Sequence, residues 1–260
     1  MLFVPEFAIA YGFVNGPGGT HTSRTMMLRE LRLLLESCAP DSRYDDYASA
    51  IIDDNVLLKQ TASTRLRSLR ALRELYALKS DSLLFRAMRD LWAEEPAAQP
   101  TLALLCAVAR DPLLRATAHA VLSSPIGHSV PAAQLAKAAT EAFPGHYNVA
   151  TAAKIGRNAA SSWTQAGYLE GHLTKIRTAT TPHAVAVAYA LLQGHLCGAR
   201  GEALFDTFWM RLLDAPRHRL RDLAVAASQA GSIDLRQAGA VTEITFSYLL
   251  RNGANEAPTP

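Results

Sequence analysis

Apolar positions recur along most of the chain every three or four residues, the period that gathers them on one side of a helix. Met27, Leu31, Leu34 and Leu35 form the first stripe, in a predicted helix that Thr22 or Ser23 caps and that runs through Ser37. Pro40-Asp41-Ser42 breaks it. A second helix is predicted over Tyr44–Leu58, with Asp53-Asp54-Asn55 as a candidate interruption. A third, capped by Thr61 or Ser63, turns Leu69, Leu72 and Tyr76 inward, flanked by Leu66 and Leu75. Ser82–Trp92, Thr101–Arg110 and Pro112–Leu122 read as short helices rich in Leu, Ala, Phe and Trp. Breaks at Glu95-Pro96 and Asp111-Pro112 separate them, because the residue before a proline is steered out of the helical region. Thr180-Thr181-Pro182 opens a helix to about His195. The next, Gly201–Leu213, has Phe205, Phe208, Trp209 and Leu212 as its stripe, and Arg217–Ala230 stops at Gly231. Ile233–Arg236 and Val241–Phe246 read as strands around a turn at Gly239.

The stretch Asn148–Thr178 shows helix, stop and ribbon together. On a helical wheel Ala152, Ile155, Ala159, Trp163 and Ala166 share one side; Lys154, Arg157, Asn158, Ser161 and Gln165 share the other. Gly167 supplies the left-handed residue that ends a helix. Tyr168, Leu169, His172, Leu173, Lys175, Ile176 and Arg177 then read as an extended hairpin. Upstream, Pro131–Phe143 is a shorter helix, opened by Pro131 and closed by Pro144-Gly145. Helix, short turn, polar-faced helix and ribbon is the order of a winged helix-turn-helix, which lays its second helix in the DNA major groove. The same order fits a helical hairpin followed by a core strand, with solvated cations. The fold class expected is mostly α: helical domains, a winged-helix-like segment and small β-ribbons. Ser123–Ser129, with Pro125 and Gly127, is the best boundary. The divisions are a lead-in over 1–20, a helical domain over 21–125, the winged-helix-like segment over 126–180, helices and a hairpin over 181–250, and a disordered tail over 251–260.

Charge changes the picture only through its distribution. A net charge of +3 over 260 residues is too small to argue for nucleic acid. However, Arg67 and Arg70 stand on the outer side of one helix with Arg65 and Arg73 at its margins, answered within it only by Glu74. Such a face suits a phosphate backbone; it also suits plain solvation with acids paired elsewhere. Arg217, Arg219 and Arg221 form a third cluster, partly offset by Asp214 and Asp222. Asn158 and Gln165 have the chemistry to reach base edges. The glycine cluster Gly16-Pro17-Gly18-Gly19 lacks a following Lys-Ser/Thr pair, so it reads as a flexible turn rather than a phosphate loop.

No catalytic constellation is visible. The histidines are scattered, and the pairs Asp53-Asp54 and Glu94-Glu95 point about 100° apart on a helix. No enzyme activity, cofactor or metal is expected. Cys38, Cys106 and Cys197 have neither metal nor disulfide spacing, which suits a reducing cytoplasm. The longest apolar run, Ala184–Leu192, is far short of the roughly 20 residues that span a bilayer, so no membrane partner is expected.

Four segments in this order resemble the BrxA proteins of BREX phage-defence systems: TSRTMMLRELRLLLE, DNVLLKQTASTRLRSLRALRELYAL, TAAKIGRNAASSWTQAGYLE and GSIDLRQAGAVTEITF. The likeness covers roughly residues 20–248 and leaves out the glycine-rich lead-in and the tail. It implies a mostly helical, non-enzymatic cytoplasmic defence component that binds double-stranded DNA, with other BREX subunits as candidate partners. It carries over no site residues. The candidate contacts therefore rest on charge and helix geometry: Lys154, Arg157, Asn158, Ser161, Gln165, Lys175 and Arg177 on one surface, Arg65, Arg67, Arg70 and Arg73 on a second. The rival readings are a protein-interaction adaptor within the defence complex and an RNA-binding helical module.

Overall fold

The computed structural model describes residues 4–79, 81–239 and 241–251. It is mostly helical, with two small antiparallel ribbons. Short 3-10 turns, Glu6–Tyr11 and Thr20–Thr22, precede α1 (Leu28–Ser37), α2 (Tyr44–Ile52), α3 (Ala62–Tyr76) and α4 (Leu83–Leu91). Then come α5 (Gln99–Arg110), α6 (Pro112–Leu122), α7 (Ala132–Ala142) and α8 (Val149–Gln165), with the ribbon β1 (Leu169–Glu170) and β2 (Ile176–Arg177). The chain closes with α9 (Ala184–Leu196), α10 (Phe208–Arg211), α11 (Arg217–Gln229), the hairpin β3 (Asp234–Ala238) and β4 (Val241–Thr245), and α12 (Ser247–Leu250).

Two helices without a polar side form the centre. Residues Thr101–Ala109 of α5 and Val185–Gly194 of α9 are buried throughout, as expected of helices that are apolar all round. Gln193 ties them together, donating its side-chain amide to the Leu105 carbonyl at 3.0 Å. The apolar run Ala184–Leu192 is therefore core. Among the described residues no helix is long and apolar enough to cross a membrane.

The lead-in belongs to this core. Val4 and Phe13 are buried, and Phe13 lies 5.3 Å from the Trp209 ring. A Cβ at Gly19 would meet Asp111 Oδ1 at 2.4 Å and displace a carboxylate that the N–H groups of His21, Leu113 and Leu114 hold in place. The glycine-rich stretch thus ends in a close approach to α6.

Several predicted boundaries shift for visible reasons. The first helix starts at Leu28 rather than near Thr22, because Met27 takes a left-handed conformation, φ 55°, and residues 19–28 leave as a separate strap. The second ends at Ile52, where Asp53-Asp54 interrupts the pattern. Thr61 caps α3 by accepting from the Thr64 N–H at 3.2 Å. The predicted helix Gly201–Leu213 is divided: Gly201–Asp206 is 3-10, and Thr207 caps α10 by accepting from the Met210 N–H. The closing hairpin pairs Asp234 with Thr245 through to Ala238 with Val241, and Gly239 takes φ +60° in its turn. The predicted tail lies, from residue 252 on, outside the described residues.

Candidate nucleic-acid interface

The winged order is present in space as well as in sequence. Asn148 caps α8, its Oδ1 accepting from the Thr151 N–H at 2.8 Å. Gly156 lets α7 and α8 cross closely: a Cβ there would lie 2.2 Å from the Ala132 carbonyl oxygen and 2.9 Å from the Ala136 Cβ. Ile155 packs with Leu113, Ala139 and Phe143 in a small core between α6, α7 and α8. Gly167 ends α8 with φ +84°. β1 and β2 pair antiparallel, Leu169 with Arg177 and Glu170 with Ile176. Ser129 bridges Ile176 on the other side, and the Val130 N–H donates to the Lys175 carbonyl at 2.8 Å. Helix α6, an edge segment, α7, α8 and a two-stranded wing, with β2 in the middle, is the arrangement of a winged helix-turn-helix.

The solvent side of α8 carries exposed Lys154 and Arg157, and neither side chain has an acidic partner among the described residues. Asn158 and Gln165 are used differently from the expectation. Asn158 Nδ2 donates to the His21 carbonyl at 2.8 Å, and Gln165 Oε1 accepts from the Leu28 N–H at 3.0 Å. Both amides hold the strap, so neither is free to read a base edge. Ser161 is half-buried and accepts weakly from Gln165 at 3.4 Å. Lys175, in the loop that joins β1 to β2, is half-buried and donates to the Gly171 carbonyl.

Arg177 is a correction. It is 1% exposed, so it cannot grip a flanking backbone. Its guanidinium donates to the Val121 carbonyl at 3.0 Å and to the Tyr168 and Thr178 carbonyls, and it pairs with Asp214. Alternation along β2 turns it inward, and the groups that satisfy it come largely from other elements. The second expected surface stays outside: Arg67, Arg70 and Arg73 are exposed on α3. Arg70 donates to Glu74 at 3.1 Å, and Arg73 lies 6.0 Å from the Tyr44 ring centre. Arg65 is half-buried, donating to the Ile52 carbonyl. The third basic cluster is largely neutralised, since Arg217 pairs with Glu202 and Asp206, and Arg221 with Glu202.

One constellation has no signal in the sequence. His21, Asp111 and Ser162 come from the strap, the N-cap of α6 and the interior of α8. His21 Nδ1 lies 2.7 Å from Asp111 Oδ2 and Nε2 lies 2.8 Å from Ser162 Oγ, the connectivity of a hydrolase triad. All three are essentially buried, and Ser162 Oγ also accepts from the Met26 N–H and donates to the Asn158 carbonyl. As folded, no substrate reaches this hydroxyl. Burial pushes the Asp111 carboxyl up, but facing His21 and backbone N–H donors outweigh it, holding the group below the usual carboxylate range. The network therefore acts as a clamp joining three segments. Among the described residues no three His, Cys, Asp or Glu side chains converge as a metal site.

No protein-family model matches the chain, and no curated protein matches it significantly.

Proposed function

We propose that this chain is a non-enzymatic accessory protein that binds duplex DNA, largely through phosphates, in a BREX-type phage-defence system. The observation that carries the binding reading is the winged helix-turn-helix whose exposed α8 surface presents Lys154 and Arg157 with no acid on the same helix. Phosphate contacts by such cations position a helix without reading sequence. The N-terminus of α8 adds its partial positive charge. Lys175 at the wing, Ser161, and the exposed arginines of α3 extend the same chemistry. The assignment to defence rests on the resemblance of segment order alone.

A second reading has an observation of its own. Val149 at the start of α8 is 88% exposed and Leu173 at the wing tip 93% exposed. Apolar side chains beside a basic face suit an adaptor that packs on another protein. The deciding variant is Lys154→Glu with Arg157→Glu. If both touch DNA, affinity for an arbitrary duplex falls by at least about tenfold, or about 1.4 kcal/mol, per reversed charge. Thermal melting stays within about 0.5 kcal/mol per surface substitution. Parent-like binding by a normally melting variant removes α8 from the interface and favours the adaptor. Structured RNA that outcompetes duplex DNA moves the reading to RNA.

A further inference from the structure

Residues 19–28 form a strap between two helices that the sequence presents as separate. On one side it is held by α8. Asn158 Nδ2 donates to the His21 carbonyl at 2.8 Å, the Met26 N–H donates to Ser162 Oγ at 2.8 Å, and the Leu28 N–H donates to Gln165 Oε1 at 3.0 Å. On the other side it is held by α3. Thr20 Oγ1 donates to Glu74 at 3.1 Å, and the Tyr76 hydroxyl donates to the Met26 carbonyl at 2.6 Å. The strap follows α8 from Asn158 to Gln165, about 10 Å of helix. It borders the side that presents Lys154 and Arg157 and covers part of the C-terminal half.

Charge along these three elements is positive except at one position. Neither α8 nor the strap contains Asp or Glu, and α3 contains only Glu74. That carboxylate already accepts from Arg70 and Thr20. Arg24 stands in the middle of the strap, half-buried, and Arg29 stands exposed just past its end. Among the described residues the side chain of neither has a hydrogen bond or an ion pair. Arg29 sits in the first turn of α1, where the helix dipole disfavours a cation.

We infer that the strap is itself a DNA-contact element: Arg24 and Arg29 continue the cations of α8 into those of α3, so that one duplex backbone lies across α8, the strap and α3. This rests on the duplex-DNA reading above. A phosphate backbone carries closely and regularly spaced charge, so contiguous cations without intervening free acids release their counterions in a single binding event. With the strap lying along part of its rear half, α8 meets the groove with its first turns.

The test is the salt dependence of duplex binding by Arg24→Gln with Arg29→Gln. The slope of log affinity against log salt flattens by roughly 0.9 for each phosphate that is no longer neutralised, and melting stays unchanged. Arg24→Lys with Arg29→Lys restores the slope, because charge alone releases counterions. A parent-like slope in the glutamine pair overturns the inference, and so does a lysine pair that fails to restore it. Lys154→Glu with Arg157→Glu, measured alongside, tells two failures apart. If it abolishes binding while the glutamine pair binds like the parent, only the strap inference falls. If the parent chain binds no duplex, the DNA reading falls and the inference with it.

Discussion

His195 sits in the last turn of α9 with its ring 5.0 Å from that of Phe246 and its Nδ1 buried without a partner among the described residues. Burial, with the nearby Arg200 charge, lowers its pKa from 6.5 to about 4. Between those values the unfolded chain holds a proton that the folded chain does not. Stability from this group therefore falls as pH drops below about 6.5, and the loss is complete below about 4. His195→Leu keeps an apolar body and removes the titration. Urea midpoints at pH 7 and pH 4.5 should lie closer together in the variant than in the parent; an unchanged gap would show that His195 does not set it. Single residues are also where the sequence is least legible. Arg177 and Lys175 look alike as cations on a ribbon, yet one is caged by carbonyls and Asp214 while the other lies in the loop between the two strands. Nothing local distinguishes them, since Asp214 comes from a distant turn.

Among elements, α7 and α8 show what periodicity does convey. The apolar stripe, the Gly167 stop and the following ribbon are all readable, because each depends on residues within a few positions. The role of Gly156 is not, because its reason lies on the partner helix. Gly156→Ala should be costly, although alanine favours helix by roughly 1 kcal/mol over glycine. Its Cβ would press on backbone at Ala132, which cannot rotate away, so α7 and α8 must separate. Overpacking of this kind costs about 1–3 kcal/mol. A net loss of stability in urea unfolding, with duplex binding weakened in step, is the expected outcome. A gain in stability would mean that the two helices adjust freely. The strap is illegible for a similar reason. Its anchors, Glu74, Tyr76, Asn158, Ser162 and Gln165, lie on two distant helices, and the amides expected to read bases are among the groups that hold it.

For the whole molecule, the winged segment is sewn into its neighbours at every layer. Trp163 is fully buried, lies edge-on to Tyr168 at 5.1 Å and donates its indole N–H to Thr117 Oγ1 on α6 at 2.8 Å. The Tyr168 hydroxyl donates to the Leu212 carbonyl, and Arg177 pairs with Asp214, both beyond α9. His21 reaches Ser162 from the strap. A fragment of residues 126–180 would keep its local signals for helix and turn but expose Trp163 and Tyr168 and strand Arg177 without its Val121 carbonyl and Asp214 carboxylate. Small units with so little core of their own rarely fold alone. The fragment should therefore show weak helicity by circular dichroism and no cooperative melt, while the intact chain melts in one transition. Restoring α6 alone should not rescue it, because the strap and the Leu212–Asp214 turn would still be missing. A cooperative melt of the fragment would mean that the wing and its helices form an autonomous unit, and that the contacts to α6, the strap and Asp214 only dock it in place.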